Sequence, residues 1–299
     1  MGRGEVGVGI PRRRSTWTLA MRLSVVVPAL NEERNVARAV ASAREGAGAA
    51  DHFEVVVVDG GSDDATVSVA HSAGADAVLV SPERGRAAQL ARGVERCSGD
   101  VIVFLHADST LPDGYAEKLR DAMKPEHSWG AFGFRLAPEE RDDDDDAADP
   151  STAARGSKGP GGGTARRFLE WCVDKRTRWL GAPYGDQGVW VKRHALDSVG
   201  GVPQQCFMED YELVKRLRRR HGMPCVVDAA VTTSSRRWDA MGVARVTALN
   251  QLIVFGYAMG VAPERLARWY TAGRNMGGGT KRWDTRAEAN AEATKVEER

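Results

Sequence analysis

Cysteine is scarce and scattered. Cys97, Cys172, Cys206 and Cys225 are the only four in 299 residues, and no two are close enough to form a CxxC pair. That spacing suggests neither a zinc site nor a disulfide framework, and leaves reduced thiols in a cytosol-like compartment as the expectation. Long apolar runs are lacking too. The apolar-rich uncharged run at residues 246–262 has 17 residues and includes Thr247, Asn250 and Gln251, where a spanning helix needs ~20 predominantly apolar ones. It reads as a buried or interfacial helix, with peripheral membrane contact as its one membrane role. An excess of either charge is missing: 42 Lys and Arg face 41 Asp and Glu, for a net charge of +1. A nucleic-acid binder usually carries a basic excess, so that class is set aside. A Gly-rich phosphate loop is also absent. There is no GxxxxGK[ST], and the close cluster GEVGVG (4–9) precedes the first predicted strand instead of following it. Neither a P-loop nor a Rossmann fingerprint is supported, so nucleotide binding needs another device.

The flat charge balance hides an asymmetry. Residues 139–149 hold eight acids and one Arg, so they contribute −7 and the rest of the chain carries +8. That remainder suits a phosphorylated ligand. The acidic run belongs to a Pro/Gly/Asp-rich stretch, 138–165, with DDDDD at 142–146 and GPGGG at 159–163. Its composition predicts a disordered, solvated insertion rather than a metal site. Residues 1–21 carry four Arg and one acid without a secretory apolar core, which predicts a disordered extension. The same composition is shared with organellar transit peptides. Residues 271–299 read as a polar tail, leaving 22–270 as the domain.

Within that domain the first half alternates two patterns. LSVVVPAL (23–30), FEVVVVDGGS (53–62), DAVLVS (76–81) and DVIVFLHADS (100–109) predict strands, and 33–45, 64–74 and 85–97 predict helices between them. Strand–helix alternation predicts an α/β fold with a mostly parallel, Rossmann-like sheet flanked by helices. The strands are apolar throughout, as expected where both faces are covered. Ligands in such sheets bind beyond the carboxyl ends of the strands, and there the sequence places PALNEE, DGGSDD and HADS. The second half is less regular. It predicts a Trp-rich helix at 166–180, a Gly-rich loop at 181–188, a short strand at 189–192, a helix at 208–221, a strand pair near 224–236 and an apolar helix from about 240.

Three places stand out chemically. Asp108 in HADS is a hard-cation ligand of the kind that holds Mg²⁺ or Mn²⁺ against a diphosphate, with His106 beside it; a strand end capped by Asp reads the same way. Glu209 and Asp210 open a helix in FMEDYELVKRLRRR, where a carboxylate serves equally as a dipole-favoured cap or as a general base. SSRRW (234–238) sets Arg236 and Arg237 beside an indole, suited to phosphate or to a surface patch.

PALNEE, VVVVDGGSDDAT, GRAAQL, DVIVFLHADS, YGDQGVWV, MEDYEL and SSRRW together resemble family 2 glycosyltransferases of the GT-A fold, and are most similar to the subgroup called rSAM/selenodomain-associated transferase 2. The resemblance covers about residues 22–270. It implies an enzyme moving a sugar from a nucleotide-diphosphate sugar, UDP-linked by preference, with inversion. It implies that Pro28, Ala29, Asn31 and Glu32 line the nucleotide pocket, that Asp59 bonds the base, and that Arg86 lies near the nucleotide or diphosphate. Asp108 would match the metal-binding acid of the DxD motif and Asp210 the base. Gln187 and Trp190 would shape the sugar or acceptor pocket. Two positions depart from the family: His106 replaces the first DxD acid, and Ala91 replaces a frequent Asn.

The expected reaction is a metal-assisted single displacement on a nucleotide-sugar donor. Asp210 is the base and Glu209 its alternative, and Asp108 with Arg236 or Arg237 supports the leaving diphosphate. No obligate protein partner is expected, the acceptor is not legible, and a cytoplasmic location follows from the thiols. Two rival classes stay open: a sugar-phosphate nucleotidylyltransferase, which lacks its Gly-rich, Lys-containing signature here, and a catalytically silent nucleotide-sugar-binding module, suggested by His106 but disfavoured by the intact MED.

Overall fold

The β-branched runs form β1 (Arg22–Ala29) and β2 (His52–Asp59), paired in parallel with Val25 opposite Val55 and Val27 opposite Val57. The computed structural model describes residues 21–48, 50, 52–137 and 162–275. Nearly all of the expected N-terminal extension, acidic insertion and polar tail therefore lies outside the described residues. The unbroken valines are explained by strand geometry. Successive side chains point to opposite faces, so Val25, Val27, Val55 and Val57 enter one core while Val26, Val56 and Val58 enter another. The first core is covered by α1 (Val36–Glu45) and α4 (Tyr115–Ala122). The second is covered by α3 (Arg86–Arg96), α6 (Arg193–Ser198) and α7 (Glu209–His221). A short α2 (Thr66–Ser72) links β2 to β3 (Ala77–Val80).

β3, β2, β1 and β4 (Val101–Phe104) run in parallel. Beyond β4 the direction reverses. β7 (Trp190–Lys192) is antiparallel to β4, and β6 (Trp129–Leu136) is antiparallel to β7. β8 (Cys225–Thr233) is parallel to β6, and β5 (Ser109–Thr110) closes the eight-stranded sheet antiparallel to β8. The expected parallel order thus describes the first half of the sheet, and the second half is mixed.

Several boundaries differ from expectation. The strand expected over 100–109 ends at Phe104, because Ser109 N–H folds back to His106 carbonyl oxygen and makes residues 106–109 a turn. The expected strand pair near 224–236 is a single strand, β8, and SSRRW runs into α8 (Arg236–Met241). β6 was not expected, since its WGAFGFRL carries two glycines in place of β-branched residues. Gly130 is there for space: a Cβ would fall 1.8 Å from the Cys225 carbonyl oxygen. α5 (Gly162–Leu180) opens four residues before 166, and α10 (Pro263–Asn275) continues past 270. α9 (Val243–Ala258) is only partly buried. Val246 and Ile253 pack inward, whereas Leu252, Phe255 and, just after the helix, Met259 are exposed. Among the described residues no helix is long and apolar enough to cross a membrane. α5 also exposes Phe168, Trp171 and Trp179, with the Lys175 ammonium 6.0 and 5.3 Å from the two indole rings.

Candidate active site

The carboxyl ends of β1, β2 and β4 frame a cavity of about 340 Å³ lined by Pro28, Ala29, Leu30, Glu32, Arg86 and Asp108, among others. Gln89 holds this end of the sheet together. Its amide donates to the Ala29 and Val58 carbonyls at 2.7 and 2.9 Å, tying β1 to β2. A second cavity of about 970 Å³ shares Leu30, Glu32, Arg86, His106 and Asp108 with the first and extends past Asp186, Glu209 and Asp210 toward α8, α9 and α10.

The wall between the two cavities is an ion cluster centred on Arg86. Its guanidinium contacts Glu209 directly and lies 3.4 Å from Asp210 and 3.3 Å from His106 Nε2. Arg86 is the first residue of α3 and follows Gly85, whose φ of 115° is one that side chains rarely adopt. The two acids come from the first turn of α7. Met208 precedes them at a φ of 64°, a left-handed conformation that is strained for a residue other than Gly.

The adjacent acids have different surroundings. Glu209 is 3% exposed, and burial, with Asp210 next to it, raises its pKa above the usual carboxylate range. Asp210 is 23% exposed. Burial pushes its pKa up, but the Arg86 charge and the N–H groups of Tyr211 and Gly185 outweigh that and hold it below its ordinary value. As pH falls, the first proton therefore goes to Glu209 and Asp210 keeps its charge. Gly185 opens a 3-10 turn (Gly185–Gln187) and donates to Asp210 Oδ2 at 3.0 Å. Burial and the Arg86 charge lower the pKa of His106, so its ring is neutral. Arginine can only donate, so the His106 nitrogen facing it is the unprotonated acceptor.

Asp108 lies 3.5 Å from Arg236 Nη2, which is also 3.3 Å from Glu32. Among the described residues no group of three or more His, Cys, Asp or Glu is placed to hold a metal. One carboxylate lining both cavities still fits a hard cation that would take its remaining ligands from a bound phosphate group and water.

Not every expected site residue faces a cavity. Gln187 and Trp190 are fully buried, which corrects their placement in the sugar or acceptor pocket. Gln187 is consumed by Arg176, Thr177, the Tyr184 N–H and the Phe132 carbonyl, while Trp190 is a core residue of β7. Asp186, the neighbour of Gln187, lines the larger cavity instead. Asp59 is 2% exposed and accepts bonds from Gly61 and Ser62, so it shapes the loop after β2 and lines neither cavity. Asn31, at a φ of 55°, accepts the Asp63 N–H and likewise ties loops together. Arg237 lines the larger cavity, with its guanidinium 4.5 Å from the Trp238 ring and one donor on the Tyr270 hydroxyl.

Residues 24–168 match the family model described as Glycosyl transferase family 2. The matched segment is just under half of the chain. It contains Arg86, His106 and Asp108 and ends before Glu209 and Asp210. Glycosyltransferase AglD of Haloferax volcanii is 32% identical over 141 residues, 44% of this chain and 23% of that protein. Glucosyl-3-phosphoglycerate synthase of Mycolicibacterium smegmatis is 35% identical over 115 residues, 33% of this chain and 38% of that protein. The matched region thus spans well under half of either relative. The crystal structure of S. aureus TarS 1–349 superposes with a TM-score of 0.53 at 17% identity, covering 77% of this chain and 65% of that one. Glucosyl-3-phosphoglycerate synthase from Mycobacterium tuberculosis, in complex with Mn²⁺, UDP and phosphoglyceric acid, superposes at 0.50 with 19% identity, covering 76% of each chain. The fold is of the GT-A type.

Proposed function

We propose that the protein is an inverting glycosyltransferase that moves a sugar from a nucleotide-diphosphate donor, UDP-linked by preference, to a separate acceptor. The observation that carries this reading is the meeting of Arg86, His106 and Asp108, which line both cavities, with Asp210, which lines the one opening toward α8–α10. The smaller cavity takes the nucleotide and the larger one the acceptor. Asp210, kept ionised by its cation and N–H partners, accepts the proton of the acceptor's nucleophile. That nucleophile bonds to the anomeric carbon as the bond to the diphosphate oxygen breaks, and the electron pair leaves on the diphosphate. Arg86 and Arg236 balance the leaving charge. Glu209 positions Arg86. A Mg²⁺ or Mn²⁺ ion held by Asp108 and the donor would supply further charge neutralisation for the leaving group; the Mn²⁺ and UDP named for the mycobacterial synthase support that assignment.

The catalytic unit in this reading is residues 22–270 extended by the last turn of α10, and the rSAM/selenodomain-associated transferase 2 subgroup is its place within the family. A reducing compartment such as the cytoplasm suits four free thiols. Peripheral membrane contact through 246–262 is supported by the exposure of Leu252, Phe255 and Met259. The test is incubation with a panel of UDP- and GDP-sugars, with and without Mn²⁺, reading nucleoside diphosphate release. Release from at least one UDP-sugar, lost in Asp108→Ala, is expected. No release from any donor would leave a silent binding module, and release of pyrophosphate from a nucleoside triphosphate and a sugar phosphate would point to nucleotidyl transfer.

A further inference from the structure

The far end of the larger cavity has a different chemistry from its catalytic end. Phe207, Met208, Trp238, Met241, Ile253 and Val254 form its walls. Every carboxylate that lines this cavity — Glu32, Asp108, Asp186, Glu209 and Asp210 — belongs to the active centre or the donor side. Beyond them α9 and α10 add three polar side chains, Asn250, Tyr270 and Arg274, and Arg237 of α8 is folded against Trp238 and tied to Tyr270. A polyhydroxylated acceptor seated here would leave several hydroxyls without partners, each at a desolvation penalty. At about 970 Å³ the cavity lies at the upper end of the range for small-molecule sites. Met208 and Ile253 belong to a small satellite core with Leu266, so the same cluster that packs α9 and α10 together also presents apolar surface to the chamber.

We propose that this chamber holds the apolar body of the acceptor, a hydrocarbon chain or ring, while the end bearing the nucleophile lies at Asp210. The acceptor is then an amphiphile rather than a free sugar or a hydrophilic metabolite. This rests on the glycosyl-transfer reading for the word acceptor, but the chamber's preference for an apolar body is measurable without turnover.

The experiment compares n-octyl β-D-glucoside, below its micelle concentration, with methyl β-D-glucoside. The two share a polar head and differ in the apolar tail. Binding to the full chain is measured by calorimetry with UDP present. A buried methylene is worth roughly fourfold in affinity, so a few seated carbons suffice for the octyl compound to bind at least ~tenfold more tightly. Ala240→Trp and Val254→Trp plug the chamber from different helices, and Ala240 is exposed enough to accept the larger side chain. Each plug should lower octyl glucoside affinity at least ~tenfold while UDP affinity and melting temperature stay at wild-type values. Equal binding of the two glucosides to wild type overturns the proposal. So does a plugged variant that keeps both its melting temperature and its octyl glucoside affinity, which would assign the octyl binding to exposed surface such as the α5 aromatics. If wild type shows the octyl preference but releases no UDP from any UDP-sugar, the transfer reading fails and the chamber assignment stands.

Discussion

Arg86 is the residue whose removal reaches furthest, because one guanidinium serves two carboxylates and an imidazole. Arg86→Met leaves Glu209 buried without a cation. Breaking a buried pair in this way costs ~3–5 kcal/mol, and the 36% exposure of Arg86 puts the loss toward or below the lower end. The variant also changes the pH profile. In the proposed reaction Asp210 acts as base only when ionised, and its lowered pKa keeps it so through the ordinary carboxylate range. Wild-type turnover should therefore stay flat as pH falls through that range and decline only below it. Without Arg86 the acid limb should move to higher pH, read from kcat against pH at saturating donor. Asp210→Asn should lower kcat by about 10²–10⁴ with UDP affinity unchanged, whereas Glu209→Gln should lose less in kcat and more in melting temperature. An Asp210→Asn variant with normal turnover would remove it from the mechanism. Much of this cluster was legible in MEDYEL, GRAAQL and HADS, since each lies at the start of a helix or just past a strand end, where local pattern predicts position. The mistakes came where a polar residue is used internally. Nothing in YGDQGVWV reveals that Gln187 bonds the Phe132 carbonyl while Asp186 faces the cavity, because those partners lie far away in sequence.

Elements position these groups by close approach, and the glycines mark where. A Cβ on Gly185 would lie 2.7 Å from Asp210 Oδ2 and 3.0 Å from His106 Nε2. Gly185 is not at a positive φ, so Gly185→Ala tests space alone. The added methyl should push the Asp210 carboxylate off the Gly185 N–H and lower kcat by about 10²-fold, with the melting temperature nearly intact. Gly130→Val should behave oppositely, because its Cβ would strike the Cys225 backbone oxygen and split β6 from β8. A large drop in melting temperature and poor soluble yield are expected, and a variant that melts like wild type would refute the assigned register. At this scale the first half was readable because each strand and the helix after it alternate locally. β6 was not, because its glycines serve a partner strand that no local window contains. The mixed order β7–β6–β8 was equally hidden, since strand direction is set by pairing and not by composition.

At the scale of the molecule, β1, β2 and β3 form a unit of partners near in sequence, while β4 and the strands beyond the reversal of direction pair with distant ones. β1 meets β2 and β2 meets β3 across single helical crossovers, whereas β4 returns to β1 with Val25 opposite Val103. β6 meets β8 with Gly130 opposite Cys225, and β4 meets β7 with Val103 opposite Trp190. Arg86 and Glu209 are 123 residues apart. Pairings between distant segments must overcome chain-closure entropy before any contact stabilises them, and form slowly for that reason. The β1–β2–β3 unit should therefore be protected early in pulse-labelled hydrogen exchange during refolding, with β4, β6, β7 and β8 following in a slower phase. The capacity to release nucleoside diphosphate should return with that slower phase. On the proposed mechanism, a chain emerging from the ribosome would have the β1–β2–β3 strand ends formed while Asp210 is still to be synthesised, so a bound sugar would meet its base only after the later segments have been made.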